Sequence, residues 1–151
     1  MNRSAAKWIE STIQCRHCCE RVTHVEDDFL CMPYHQLCCL FPDGQRNRGR
    51  RRYDFITKQM IVTIPAMYAT EDVDAEQKML YAHYFVAGAD WYVAELDPAT
   101  GLAFGHADLG FPEWGYFDLV EMEAIVAHNG LVIVDRDLDF KPTSARELGI
   151  A

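Results

Sequence analysis

The chain of 151 residues has no apolar run approaching the ~18–20 residues that a bilayer-spanning helix needs, which excludes a helical membrane protein. Its first ten residues lack the apolar core of a signal peptide, so the expectation is a cytoplasmic protein with no membrane partner. No cysteine follows Cys39. Cations are scarce in the second part: residues 61–151 hold four Lys or Arg against sixteen Asp or Glu, a charge of 4 − 16 = −12. A phosphate-binding glycine loop and a G-x-S-x-G nucleophile elbow are both missing, which removes the P-loop and α/β-hydrolase chemistries. His83, His106 and His128 show neither ligand spacing nor a nucleophile partner in sequence. The expectation is therefore a protein that is not an enzyme.

What is there is concentrated at the start. Cys15, Cys18, Cys19, Cys31, Cys38 and Cys39 lie together with His17, His24 and His35. In a reducing compartment such a cluster holds metal more often than disulfides. Cys15-x2-Cys18 sets two thiolates on one knuckle, at an angle that suits tetrahedral Zn²⁺. Cys31-x3-His35 and His35-x2-Cys38 both offer a second pair, and His35 belongs to each. The expected cofactor is a structural zinc ion, with Cys15, Cys18, Cys31, His35 and Cys38 as candidate ligands. An iron–sulfur cluster and partly buried thiols are the alternatives. Cys19 and Cys39 are spare in most schemes.

Residues 1–60 carry ten Lys or Arg against seven Asp or Glu, or +3, so the overall −9 conceals a split. Five of those cations, Arg46, Arg48, Arg50, Arg51 and Arg52, crowd into a polar stretch that reads as a loop. Guanidinium groups at that density suit phosphate oxygens, and Tyr53 and Phe55 could stack on unpaired bases. The alternatives are a solvated loop or internal pairing with the acidic part. Two domains are expected: a Cys/His module with the arginine loop over residues 1–52, and an acidic α+β domain over 53–151.

Within the second domain, Met60–Ile64 is β-prone, and Asp74 with Gln77 resembles a capping box for a helix through Tyr84. Trp91–Leu96 and Leu102–Ala107 flank the turn Asp97-Pro98-Ala99-Thr100-Gly101, which predicts a β-hairpin. Trp114–Phe117 reads as a further strand. Asp118 with Glu121 opens a helix whose apolar face is Leu119, Met122, Ile125 and Val126, ended by Asn129-Gly130. Leu131–Val134 and Leu138–Phe140 are β segments, and Ser144 caps a last helical turn. The fold class is α+β: a small, mainly antiparallel sheet with helices on one face. Asp135, Asp137 and Asp139 alternate, so extended backbone would align them as an acidic partner surface. Trp91, Tyr92, Phe104, Trp114, Tyr116 and Phe117 are spaced as sheet residues and are expected in the core.

An ordered series of motifs carries a resemblance. It comprises Tyr68-Ala69-Thr70-Glu71-Asp72, Trp91-Tyr92-Val93-Ala94-Glu95 with Asp97 and Gly101, and Phe104-Gly105. Glu113-Trp114-Gly115-Tyr116-Phe117 and Asp135-Arg136-Asp137-Leu138-Asp139-Phe140-Lys141-Pro142 complete it. Over about residues 62–149 the chain resembles a bacterial family of domains of unknown function. That family is found in plasmids, integrative conjugative elements and phages, often near antirestriction and DNA-processing genes. The resemblance implies a mobile-element protein and brings no activity or catalytic residue with it. The Cys-rich segment before residue 50 departs from the usual family pattern.

Two functions are expected on these grounds. One is a non-enzymatic protein of anti-CRISPR or antirestriction type, which binds a nucleic-acid-handling defence protein of the host. The other is a zinc-containing nucleic-acid-binding accessory protein of plasmid or conjugative-element maintenance.

Overall fold

In the computed structural model the described residues are 37, 38 and 40–150. The expected helix after Ser4 and the candidate ligands Cys15, Cys18, Cys31 and His35 lie outside them.

The centre of the fold is a five-stranded antiparallel sheet. Its strands are β2 (Ala82–Val86), β3 (Ala89–Leu96), β4 (Leu102–Asp108), β5 (Pro112–Asp118) and the short β8 (Asp135–Arg136), in the order β5-β4-β3-β2-β8. Two small ladders flank it, joining β1 (Met79–Leu80) to β9 (Thr143–Ser144) and β6 (Val126–Ala127) to β7 (Val132–Ile133). The helical pieces are α1 (Arg48–Arg51), α2 (Lys58–Thr63), α3 (Leu119–Ala124) and α4 (Ala145–Leu148).

The hairpin read from sequence is β3–β4. Its turn is held by the Asp97 carboxylate, which accepts from the Ala99 N–H at 2.9 Å and the Thr100 hydroxyl at 2.8 Å. Gly101 closes it at φ +82, a left-handed conformation that glycine adopts without strain. One face of the sheet carries the main core: Ala82, Tyr84, Trp91, Val93, Leu96, Ala103 and Ala107 pack beneath Phe55, Met60, Ile64, Leu119 and Met122. The second face carries a smaller core of Leu80, Ala94 and Ala145, with Tyr92, Trp114, Phe140 and Leu148 against it. Helices therefore cover both faces rather than one, because Ala145 of α4 packs opposite α2 and α3.

Five expected elements differ, among them Leu138–Phe140, which forms a bend outside any strand where a β segment is expected. Met60–Ile64 is helical backbone at its start, not a strand. The Thr57 side chain caps α2 by accepting from the Met60 N–H at 3.2 Å, and Met60 and Ile64 fall four apart on its buried side. The helix expected after Asp74 is one 3₁₀ turn, Ala75–Gln77, because Asp74 makes no side-chain cap. Beyond it Leu80, Ala82 and Tyr84 are buried while Met79 and Phe85 are exposed, which is a period of two and makes β1 and β2. The helix opened by Asp118 stops at Ala124. His128, Asn129 and Gly130 all have positive φ and form the turn of β6–β7, so Asn129-Gly130 is a hairpin signal rather than a helix stop. The arginine stretch is not all loop, since Arg48–Arg51 makes one helical turn.

Candidate binding surface

The five arginines have different fates. Arg51 is buried, with one terminal nitrogen 2.7 Å from Glu123 and the other 3.1 Å from the Glu123 carbonyl. Its Nε also donates to the Val134 carbonyl at 2.7 Å. The Glu123 carboxylate is itself buried and further accepts the N–H groups of Arg46 at 3.0 Å and Asn47 at 2.7 Å. Arg50 donates to the Gly130 carbonyl, and Arg48 pairs with Asp54 at the surface. The side chains of Arg46 and Arg52 are exposed. Arg51 is thus committed to the core, where a charge is tolerated only as a fully hydrogen-bonded pair. Gln45 joins in, donating to the Ile56 carbonyl at 2.8 Å, so residues on both sides of position 52 share one packed region.

The three aspartates also differ from the expected row. Only Asp135 is in a strand, and it accepts the Tyr53 hydroxyl at 2.7 Å. Asp137 turns toward His83, whose Nδ1 lies 3.4 Å away, and its other oxygen accepts the Asp139 N–H at 3.0 Å. The Asp137–Asp139 side-chain-to-backbone turn ends the extended conformation on which the row depended. Nonetheless Asp135, Asp137 and Asp139 line one open groove of about 730 Å³ with Arg50, Arg51 and Tyr53. Much of its charge is already matched within the groove or beneath it.

Cys38, the expected zinc ligand among the described residues, is half-buried in helical backbone. Among the described residues no group of three or more His, Cys, Asp or Glu is placed to hold a metal ion.

The second sheet face organises a different surface. A β-bulge lies between Val93 and Glu95, so Glu95 pairs with Phe104 and shares the side of the sheet that Phe104 occupies. There its carboxylate accepts the N–H of Tyr68 at 2.6 Å and the N–H of Thr70 at 2.9 Å, together with the Thr70 hydroxyl. Burial pushes the Glu95 carboxyl up, but these hydrogen bonds and the nearby Lys78 outweigh it and hold the group below its ordinary value. Glu95 thereby fixes the 68–72 loop over β5, with Tyr68 at φ +67 and its ring outward. Tyr116 stands beside it, and desolvation followed by its hydrogen bond to the Tyr68 hydroxyl raises its own hydroxyl. Glu71 is close enough to act on Tyr116 by charge.

Along the same face His83 stacks on Tyr92, with ring centres 4.4 Å apart, and Phe140 closes over both. His106 meets Trp114 edge-on at 5.6 Å. His106 Nδ1 and Trp114 Nε1 are buried without a hydrogen-bond partner among the described residues. The expected aromatic core is therefore divided. Trp91 is buried, Tyr92, Phe104, Trp114 and Phe117 are half-buried, and Tyr116 is 56% exposed. Phe111, at the turn into β5, is 87% exposed. Sequence patterning missed Glu95 and Tyr68 as organisers of this surface; the signal was a carboxylate breaking an apolar strand after Ala94.

The fold and this surface define a small α+β domain built on an antiparallel sheet. The chain belongs to the DUF2958 family, described as proteins of unknown function, whose model matches residues 56–147. No curated protein and no solved structure matches the chain.

Proposed function

We propose that this chain is a non-enzymatic binding protein of a mobile element. It counters a host defence of CRISPR or restriction type by covering a basic, nucleic-acid-handling surface of a defence protein. The observation that carries this reading is the unneutralised acid of residues 61–151. Of the four cations there, Lys78 is tied to Thr70, Arg136 to the Asp54 carbonyl and Arg146 to Glu76. Lys141 is left as the one cation of that stretch whose ammonium has no polar partner among the described residues. Glu71, Asp72, Asp74, Glu113, Glu121 and Asp139 meanwhile face solvent. Such a surface complements the basic channels that hold nucleic acid, and blocking them requires only a rigid complementary shape. The mobile-element setting is what the family resemblance implies. The competing role, a zinc-containing nucleic-acid-binding accessory, draws on the arginine stretch, of which Arg51 is committed to the core.

The test is survival of foreign DNA in a defence-positive host that expresses the chain, combined with recovery of the tagged protein from that host after nuclease treatment. Protection together with a stoichiometric defence subunit supports the reading. Absence of protection, or capture of nucleic acid alone, overturns it and favours the accessory role.

A further inference from the structure

The outer edge of β5 is unpaired among the described residues, since the sheet order places β5 at one end and no described segment pairs with its far side. Which backbone groups face outward follows from the ladder. Leu102 accepts from the Asp97 N–H, so its polar groups face β3, and the Leu119 N–H donates to Gly101. Leu102 and Asp118 are therefore a non-hydrogen-bonded pair. Alternation along the register makes Phe104–Tyr116 and His106–Trp114 pairs of the same kind. The N–H and C=O groups of Trp114 and Tyr116 consequently point away from β4.

The surroundings of this edge select an occupant. Glu113 and Asp118 stand near its two ends, Glu71 acts on Tyr116 from the loop above, and no Lys or Arg lies in β5 or α3. Tyr116, Tyr68 and Phe111 supply exposed rings alongside, 56%, 62% and 87% accessible. Cations stack on such rings and pair with such carboxylates. A second copy of the chain suits the edge less, because each copy carries a net charge of −9.

We infer that β5 captures an extended basic segment of a partner protein by antiparallel strand addition, through the outward backbone groups of Trp114 and Tyr116. Main-chain bonds supply affinity, and arginine or lysine side chains over Tyr116 and Tyr68, beside Glu71, supply selectivity. This deepens the binding reading above by naming the part of the partner that is held.

The probe is a short fluorescent peptide alternating arginine and valine, added to the purified full chain. Its control is a peptide of equal charge in which proline replaces valine, which cannot complete a ladder. The expected result is binding by the first peptide at least about tenfold tighter than by the second, with slowed exchange of the Trp114 and Tyr116 amides. Glu71→Lys and Tyr116→Lys, both at exposed positions, weaken binding about tenfold while the circular-dichroism spectrum stays unchanged. Equal affinity for the two peptides overturns the inference, because charge alone then suffices. Protection at β8 rather than β5 overturns it as well. Self-association of the chain that Tyr116→Lys abolishes assigns the edge to a second copy and overturns the stated occupant. These results are independent of the host-protection assay: if the peptide test fails while protection persists, only the strand-addition inference falls. Peptide capture without protection sinks the anti-defence reading alone.

Discussion

At the scale of single residues, the largest commitment is the buried pair Arg51–Glu123. Five donors converge on the Glu123 carboxylate and carbonyl from Arg46, Asn47 and Arg51, with Asn47 Nδ2 reaching the carbonyl at 2.8 Å. Glu123→Ala leaves a buried guanidinium uncompensated and is expected to destabilise the fold by about 3–5 kcal/mol, measured by urea unfolding. Arg51→Met with Glu123→Leu removes both charges and should recover much of that loss; a double variant as unstable as Glu123→Ala would contradict the pairing argument. His106 makes a separate statement about pH. Burial lowers its proton affinity below the ordinary value of 6.5, opposed by Asp108. The unfolded chain therefore binds the proton first as pH falls, so stability is full above pH 6.5 and declines as pH drops toward the folded value. Glu95, held low, keeps its contribution down to about the ordinary carboxylate value of 4.5 and loses it only as pH falls further. Urea midpoints at about pH 7.5 and about pH 5.5 should differ for the parent and converge for His106→Gln. An undiminished difference in the variant would place the titration elsewhere.

At the scale of elements, the bulge in β3 decides both fold and surface. Gly105 faces Val93 just before it, and a Cβ at Gly105 would sit 1.8 Å from the Tyr92 carbonyl oxygen. Gly105→Ala is expected to destabilise the chain by about 3 kcal/mol and to loosen the Glu95-held loop, because backbone rather than a movable side chain is in the way. Gly115→Ala, with nothing within 4 Å, is the matched control in the next strand and should change the thermal midpoint little. Equal losses at both sites would remove the close-approach argument. The hairpin β3–β4 was legible because Asp97 to Gly101 is a turn with its own chemistry, and α4 because Ser144 and Glu147 make a full capping box. Asp118 was legible as a cap, and its side chain accepts from the Val120 N–H at 2.7 Å and the Glu121 N–H at 3.0 Å without the reciprocal bond of a full box. What misled was local pattern without its tertiary partner. Asp74 looks like a cap, yet Leu80, Ala82 and Tyr84 have a sheet to enter, and burial outweighs the propensity of a short polar turn. Met60–Ile64 looks like a strand for the converse reason. Its β-branched residues are overruled by the Thr57 cap and by a core that needs Met60 and Ile64 on one side. The candidate surface was half legible. Acidic excess and aromatic spacing could be counted, whereas the turning of Glu95 out of the strand register depends on a bulge that composition does not encode.

At the scale of the whole molecule, charge is distributed by use. Part of the positive charge before residue 60 folds onto the acidic part, as Arg51 meets Glu123 and Arg48 meets Asp54 nearer in sequence. What remains outward over residues 61–151 is strongly negative, and the exposed Glu71, Asp72 and Asp74 lie in the connection leading to β1, close to the Tyr68 loop that Glu95 anchors. Long-range attraction from such a field acts mainly on encounter, whereas the contacts made after docking govern release. The combined change Asp72→Lys and Asp74→Lys should therefore slow association with the arginine–valine peptide several-fold at low salt while altering dissociation little. Raising the salt should bring the parent and the variant together, since the Debye length falls to about 3 Å at 1 M. Stopped-flow fluorescence over a salt series separates the two rates. If dissociation accelerates instead and the gap persists in high salt, these carboxylates make direct contact with the bound segment, and the docking surface extends from the β5 edge across the loop.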